Sequence, residues 1–175
     1  FMTGLERNAD VVEMATYAPL LAHVEGWQWR PDLIWYDNLN TMKTCSYYVQ
    51  QLYSLYKGTD VLPLTMDGKS VAGNDGQHRL YASSVKDTKA GEYIVKVANL
   101  SEYGQDIEIS FDNLPAAHKL GKANCITLHS DNRVAENTIE DPDAVAPVTT
   151  EVQVEGNTLK TRIGGRSFAV YRIKY

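Results

Sequence analysis

Ile107-Glu108-Ile109-Ser110-Phe111 alternates apolar and polar side chains without a break, and a period of two places every second residue on one face of a strand. Upstream lie Tyr93-Ile94-Val95-Lys96-Val97-Ala98 and a run over residues 78–85; downstream lies Cys125-Ile126-Thr127-Leu128. Three more runs close the chain: Val152-Gln153-Val154, then Leu159-Lys160-Thr161-Arg162-Ile163 after a Gly156-Asn157 turn, then Phe168-Ala169-Val170-Tyr171-Arg172-Ile173. About seven short strands separated by Gly, Asn, Asp and Pro predict a mainly β fold, an antiparallel β-sandwich of Greek-key type, because strands with one apolar face each must bury it face to face. An acidic, irregular stretch at residues 132–149, carrying Pro142 and Pro147, interrupts the series and reads as a loop over the surface or against a neighbour.

Residues 1–60 have a different texture. Val11, Val12, Met14, Ala15, Tyr17, Leu20 and Leu21 make residues 11–24 so continuously apolar that they read as a strand buried on both faces. Ser46 reads as the N-cap of a helix with the stripe Tyr48, Val49, Leu52, Leu55 and Tyr56, and Gly58 as its C′ stop. Strand, loop and helix make one βα unit, which cannot cover its own strand. The predicted organisation is a remnant βα unit over residues 1–60 and a β-sandwich over residues 61–175.

The 175 residues carry a formal net charge of −5 and no Lys/Arg run, which argues against a nucleic-acid groove or an anionic membrane surface. Cys45 and Cys125 form no CxxC pair and read as two buried thiols, with a single disulfide as the alternative. The four histidines, His23, His78, His118 and His129, are scattered, so no metal site and no cofactor is implied. Gly164-Gly165-Arg166-Ser167 superficially resembles an activated serine, but a turn before an edge strand explains it. Asn99-Leu100-Ser101 is a glycosylation sequon of a kind common by chance. The start, Phe1-Met2-Thr3-Gly4, lacks a basic segment and an apolar core of signal-peptide length, so the expectation is a cut inside a longer protein.

Glycoside hydrolysis needs two carboxylates flanking the scissile bond. Before the helix the candidates are Glu6, Asp10, Glu13, Glu25, Asp32 and Asp37. Glu6 and Asp10, four apart, read as a solvated face or a cap, Glu13 as a paired structural group, and none of the six makes an acid and nucleophile pair. Trp27, Trp29 and Trp35, with Tyr17 and Tyr36, concentrate flat rings on which sugars stack. The competing reading is that these rings plug the joint between the two parts.

Phe1-Met2-Thr3-Gly4-Leu5-Glu6-Arg7-Asn8-Ala9-Asp10-Val11-Val12, Met14-Ala15-Thr16-Tyr17-Ala18-Pro19-Leu20, Trp29-Arg30-Pro31-Asp32-Leu33-Ile34 and Ser46-Tyr47-Tyr48-Val49-Gln50-Gln51-Leu52 resemble the late barrel segment of family 51 glycoside hydrolases, the α-L-arabinofuranosidases. The Asp141-Pro142 region and Ser167-Phe168-Ala169-Val170-Tyr171 are similar to that family's carboxy-terminal sandwich, so the resemblance spans the chain.

The resemblance implies a parent with a (β/α)8 barrel and an appended sandwich, removing terminal arabinofuranosyl groups from arabinan or arabinoxylan with retention of configuration. It places both catalytic glutamates before Phe1, so no catalytic residue is assigned here, and it makes residues 11–24 the last barrel strand. Trp27 and Trp29 then border the sugar pocket, at the carboxyl end of that strand. The expected partners are an arabinose-containing glycan, the chain's own catalytic barrel and, through apolar surface left bare, another copy. A non-catalytic carbohydrate-binding module is the alternative, and a secreted or periplasmic location is favoured although no signal region is present.

Overall fold

The computed structural model describes residues 1–71 and 78–175. Its elements run α1 (Met2–Arg7), β1 (Leu21–His23), β2 (Ile34–Tyr36), β3 (Thr41–Lys43), α2 (Cys45–Leu55), β4 (Asp60–Leu62), β5 (Thr65–Met66), β6 (Lys69–Ser70), β7 (Leu80–Asp87) and β8 (Glu92–Asn99). There follow β9 (Gln105–Ser110), β10 (Ala123–Leu128), β11 (Val148–Val152), β12 (Val154–Glu155), β13 (Thr158–Ile163) and β14 (Ser167–Lys174).

The predicted sandwich is present. One layer is a six-stranded antiparallel sheet in the order β11-β10-β14-β8-β7-β4, and the other is β12-β13-β9. Leu80, Val95, Val97, Cys125, Tyr171 and Ile173 on the first sheet meet Ile109, Leu159 and Ile163 on the second. The chain changes sheet at Gln153, so the strand expected at Val152-Gln153-Val154 is split between the two layers, as β11 and β12.

The larger sheet is covered on its outer face as well. Val85, Ile94, Ile126, Phe168 and Val170 point away from the sandwich core and pack under Tyr48, Leu52 and Tyr53 of α2. Double coverage explains why β8 and β14 are almost wholly buried, when a strand with one wet face would alternate. The strand β14 enters last and sits between β10 and β8. The turn at Gly164-Gly165-Arg166 therefore precedes a central strand, not an edge, and Ser167 Oγ donates to Gly164 O at 2.7 Å.

Three local expectations are corrected. Residues 11–24 contain strand only at Leu21–His23, and Val11 and Met14 are 73% and 82% exposed. Pro19 cannot donate to a ladder, and Val11, Met14, Ala15, Thr16 and Leu20 are exposed, so the strand begins after it. The helix cap is Thr44, whose Oγ1 accepts from Tyr47 N at 3.3 Å and donates to Leu33 O at 2.8 Å. On α2 the buried face is Tyr48, Leu52 and Tyr53, with Leu55 turned to solvent, because Tyr53 stacks on Phe168 with ring centroids 5.4 Å apart. Gly58 lies beyond the Tyr56 cap at φ +69°, where a Cβ would meet Val85 at 2.7 Å, so glycine is needed for both reasons.

The short helix α1 is moored to the outer face of the sheet by polar contacts. Glu6 Oε1 accepts from Lys96 Nζ at 2.5 Å, its Oε2 accepts from Ser83 Oγ at 2.5 Å, and Arg7 donates to Ala82 O at 2.7 Å. Glu6 is thus a buried partner rather than a solvated face.

Candidate functional site

A cleft of about 490 Å³ opens beside the small sheet β1-β2-β3, whose first two strands are parallel and last two antiparallel. One wall is the loop after β1, with Trp27, Arg30 and Asp32. The floor includes Trp35 and Met42, the capping turn of α2 closes one end, and residues 136–140 of the long connection between β10 and β11 form the opposite wall.

The aromatic wall is built around Arg30. Its guanidinium carbon lies 5.3 Å from the centroid of Trp27 and 4.9 Å from that of Trp35, distances at which a cation is attracted to the ring face. Trp27 and Trp35 meet edge to face at 5.8 Å. Arg30 Nη1 also reaches Glu136 Oε2 at 3.4 Å, across the cleft from one wall to the other. Trp35 is buried, Trp27 is 47% exposed and Trp29 is 65% exposed. Trp27 therefore lines the cleft, Trp35 plugs its floor, and Trp29 stands outside the lining.

Of the six acidic candidates, the cleft brings together Asp32 and Asp37. Glu6 is committed to Lys96, while Asp10, Glu13 and Glu25 are exposed. Asp37 accepts from the N–H groups of Leu39 and Asn40 at 2.7 and 2.6 Å, and these bonds hold its carboxyl below the usual range. Asp32 is only 3% exposed, and among the described residues its Oδ2 has no hydrogen-bond partner. A buried acceptor left without a donor carries a desolvation cost, and this one belongs to a side chain on the wall of a cleft.

The opposite wall is held by hydrogen bonds and packing. Asn137 is buried, and its amide donates to Lys43 O and Val145 O at 2.7 and 3.0 Å while its Oδ1 accepts from Val145 N at 2.7 Å. Ile139 packs against Ala22, Trp35 and Met42. Tyr48 Oη donates to Asp143 at 2.9 Å, and burial together with that carboxylate pushes its pKa up to about 12. The sequence marked these residues only as an irregular acidic loop; the Asp141-Pro142 turn that closes it was its one local signal.

The other motifs resolve into structure. Asn99 of the sequon is fully buried and donates to Tyr103 O and Gly164 O at 3.0 and 2.8 Å. Both cysteines are free thiols whose pKa burial raises. Among the described residues no group of three His, Cys, Asp or Glu side chains is placed to hold a metal ion, and no helix is long and apolar enough to cross a membrane.

A sequence model described as the alpha-L-arabinofuranosidase C-terminal domain matches residues 1–167. Alpha-L-arabinofuranosidase 1 of Arabidopsis thaliana is 28% identical over 98% of this chain and 25% of its own length. Alpha-L-arabinofuranosidase A of Aspergillus kawachii is 34% identical over 97% of this chain and 25% of its own. Among solved structures, the arabinose-bound MgGH51 α-L-arabinofuranosidase superimposes with a TM-score of 0.86 at 31% identity, over 99% of this chain and 26% of that one. The Thermotoga maritima enzyme, 15% identical, shares the fold with a TM-score of 0.76 over 99% of this chain and 36% of that one. The chain spans about a quarter of the length of the two curated relatives.

Proposed function

This chain belongs to the family of α-L-arabinofuranosidase C-terminal domains, and from that premise we propose that it is the carboxy-terminal part of a retaining enzyme that removes terminal α-L-arabinofuranosyl groups from arabinan or arabinoxylan. The catalytic glutamates lie in the preceding barrel. Residues 1–60 complete that barrel, and residues 61–175 are the sandwich that packs on it. The exposed Val11, Met14, Leu20 and Leu21 supply apolar surface for the barrel or for another copy of the chain.

Within this arrangement the cleft holds a sugar without cutting it. The observation that carries the reading is the aromatic-walled cleft itself, where the half-exposed ring of Trp27 stands beside the carboxyl group of Asp32. A furanose presents hydroxyl donors for such a carboxylate and a C–H face for Trp27, while Trp29 contacts the glycan further out on the rim. Because every wall of the cleft comes from this one chain, a non-catalytic binding module is the second reading.

Titration of the 175-residue chain with methyl α-L-arabinofuranoside, followed by tryptophan emission, tests the site. Binding that is lost in Asp32→Ala and weakened in Trp27→Ala supports it; an unchanged affinity in Asp32→Ala defeats it. The chain is expected to show no turnover of an aryl arabinofuranoside, and turnover abolished by mutating one of its own residues would overturn the non-catalytic assignment. Retention on insoluble arabinan, with the parent's catalysis intact after Asp32→Ala, would favour the binding-module reading.

A further inference from the structure

The cleft lining carries four carboxylates, Asp32, Asp37, Glu136 and Glu140, against the single guanidinium of Arg30. Arg30 is already engaged, pinned to Glu136 and laid against two tryptophan faces. Asp37 is held ionised by two backbone N–H groups. Glu136 and Glu140 are exposed, and they stand on a wall fixed by the buried Asn137 and by Ile139. A bound glycan therefore meets more negative than positive charge, with Arg30 as the cation of the lining and shared with Glu136.

We infer that the wall borne by the sandwich is a specificity element: Glu136 and Glu140 make the cleft select neutral arabinose-bearing glycans and reject those with a uronate next to the arabinose. The inference rests on the proposal that the cleft binds sugar. A uronate seated beside the exposed Glu140 meets a like charge, and the repulsion is screened by salt over about 10 Å at 0.1 M. Rejection of the wrong ligand by like-charge placement is a recognised route to specificity, and here the sandwich supplies it, not the barrel.

The test compares two probes on the intact chain by tryptophan emission: a neutral arabino-oligosaccharide and the same oligosaccharide bearing one glucuronic acid. At low ionic strength the uronate probe is expected to bind about three- to tenfold more weakly. That ratio should narrow toward one in Glu136→Gln/Glu140→Gln and, independently, in the unmutated chain at high salt. A ratio of one in the unmutated chain, or a ratio that neither salt nor the double substitution narrows, overturns the inference while leaving the sugar site standing. Failure of the neutral probe to bind overturns both.

Discussion

Glu6 on the first helix and Lys96 in the middle of the central sheet form a buried ion pair, with Oε1 and Nζ 2.5 Å apart and side chains 9% and 0% exposed. Lys96 also donates to Tyr56 O at 2.7 Å and lies 5.1 Å from the Tyr53 ring. The pair ties residues 1–7 to the sandwich. Burial lowers the Lys96 pKa, and the pairing with Glu6 offsets only part of that fall.

Breaking one half of such a pair leaves an unpaired charge in a dry place, which costs about 3–5 kcal/mol. Glu6→Ala is expected to lower the unfolding free energy obtained from urea titration by that amount, and Glu6→Leu/Lys96→Met to recover most of the loss. Additive losses in the double variant would show that the two residues are not coupled.

Alkaline pH should unfold the protein through its tyrosines. Burial raises the pKa of Tyr48 from 10.0 to about 12, and raises those of Tyr53 and Tyr171 as well. Between pH 10 and 12 the unfolded chain sheds protons that the native state keeps, so stability falls as pH rises. Each such tyrosine contributes up to about 1.4 kcal/mol per pH unit. In Tyr48→Phe the fall over this window should be shallower than in the unmutated chain; parallel curves would refute the assignment.

The turn before β14 distinguishes its two glycines. A Cβ at Gly165 would sit 2.3 Å from Glu102 O, a backbone atom that cannot swing away, whereas one at Gly164 would have the His129 ring as its nearest neighbour at 3.4 Å. Gly165→Ala is expected to cost about 1–3 kcal/mol and Gly164→Ala much less. Comparable midpoints for the two variants in thermal unfolding would contradict the packing described.

Local chemistry was legible where the cause is local. The alternation at residues 107–111 and 159–163 needs only neighbouring residues to read, and the strands at Tyr93 and Phe168 are legible as short apolar runs bounded by turns. Trp27 was visible because three tryptophans within nine residues are conspicuous whatever the fold. Asp32 was one of six carboxylates and nothing beside it set it apart. Its standing comes from burial on the wall of the cleft, which is a property of everything around it.

By itself, then, the sequence determined a sandwich of short strands, an amphipathic helix and an aromatic loop, since backbone periodicity and ring chemistry are written residue by residue. Tertiary structure alone decided that Glu6 is buried opposite Lys96, 90 residues away, that β14 closes the sheet from its middle, and that residues 136–140 face Trp27 across a cleft. Each of these depends on which distant segments share a surface. Burial and charge compensation act through space, and spacing along the chain does not encode them.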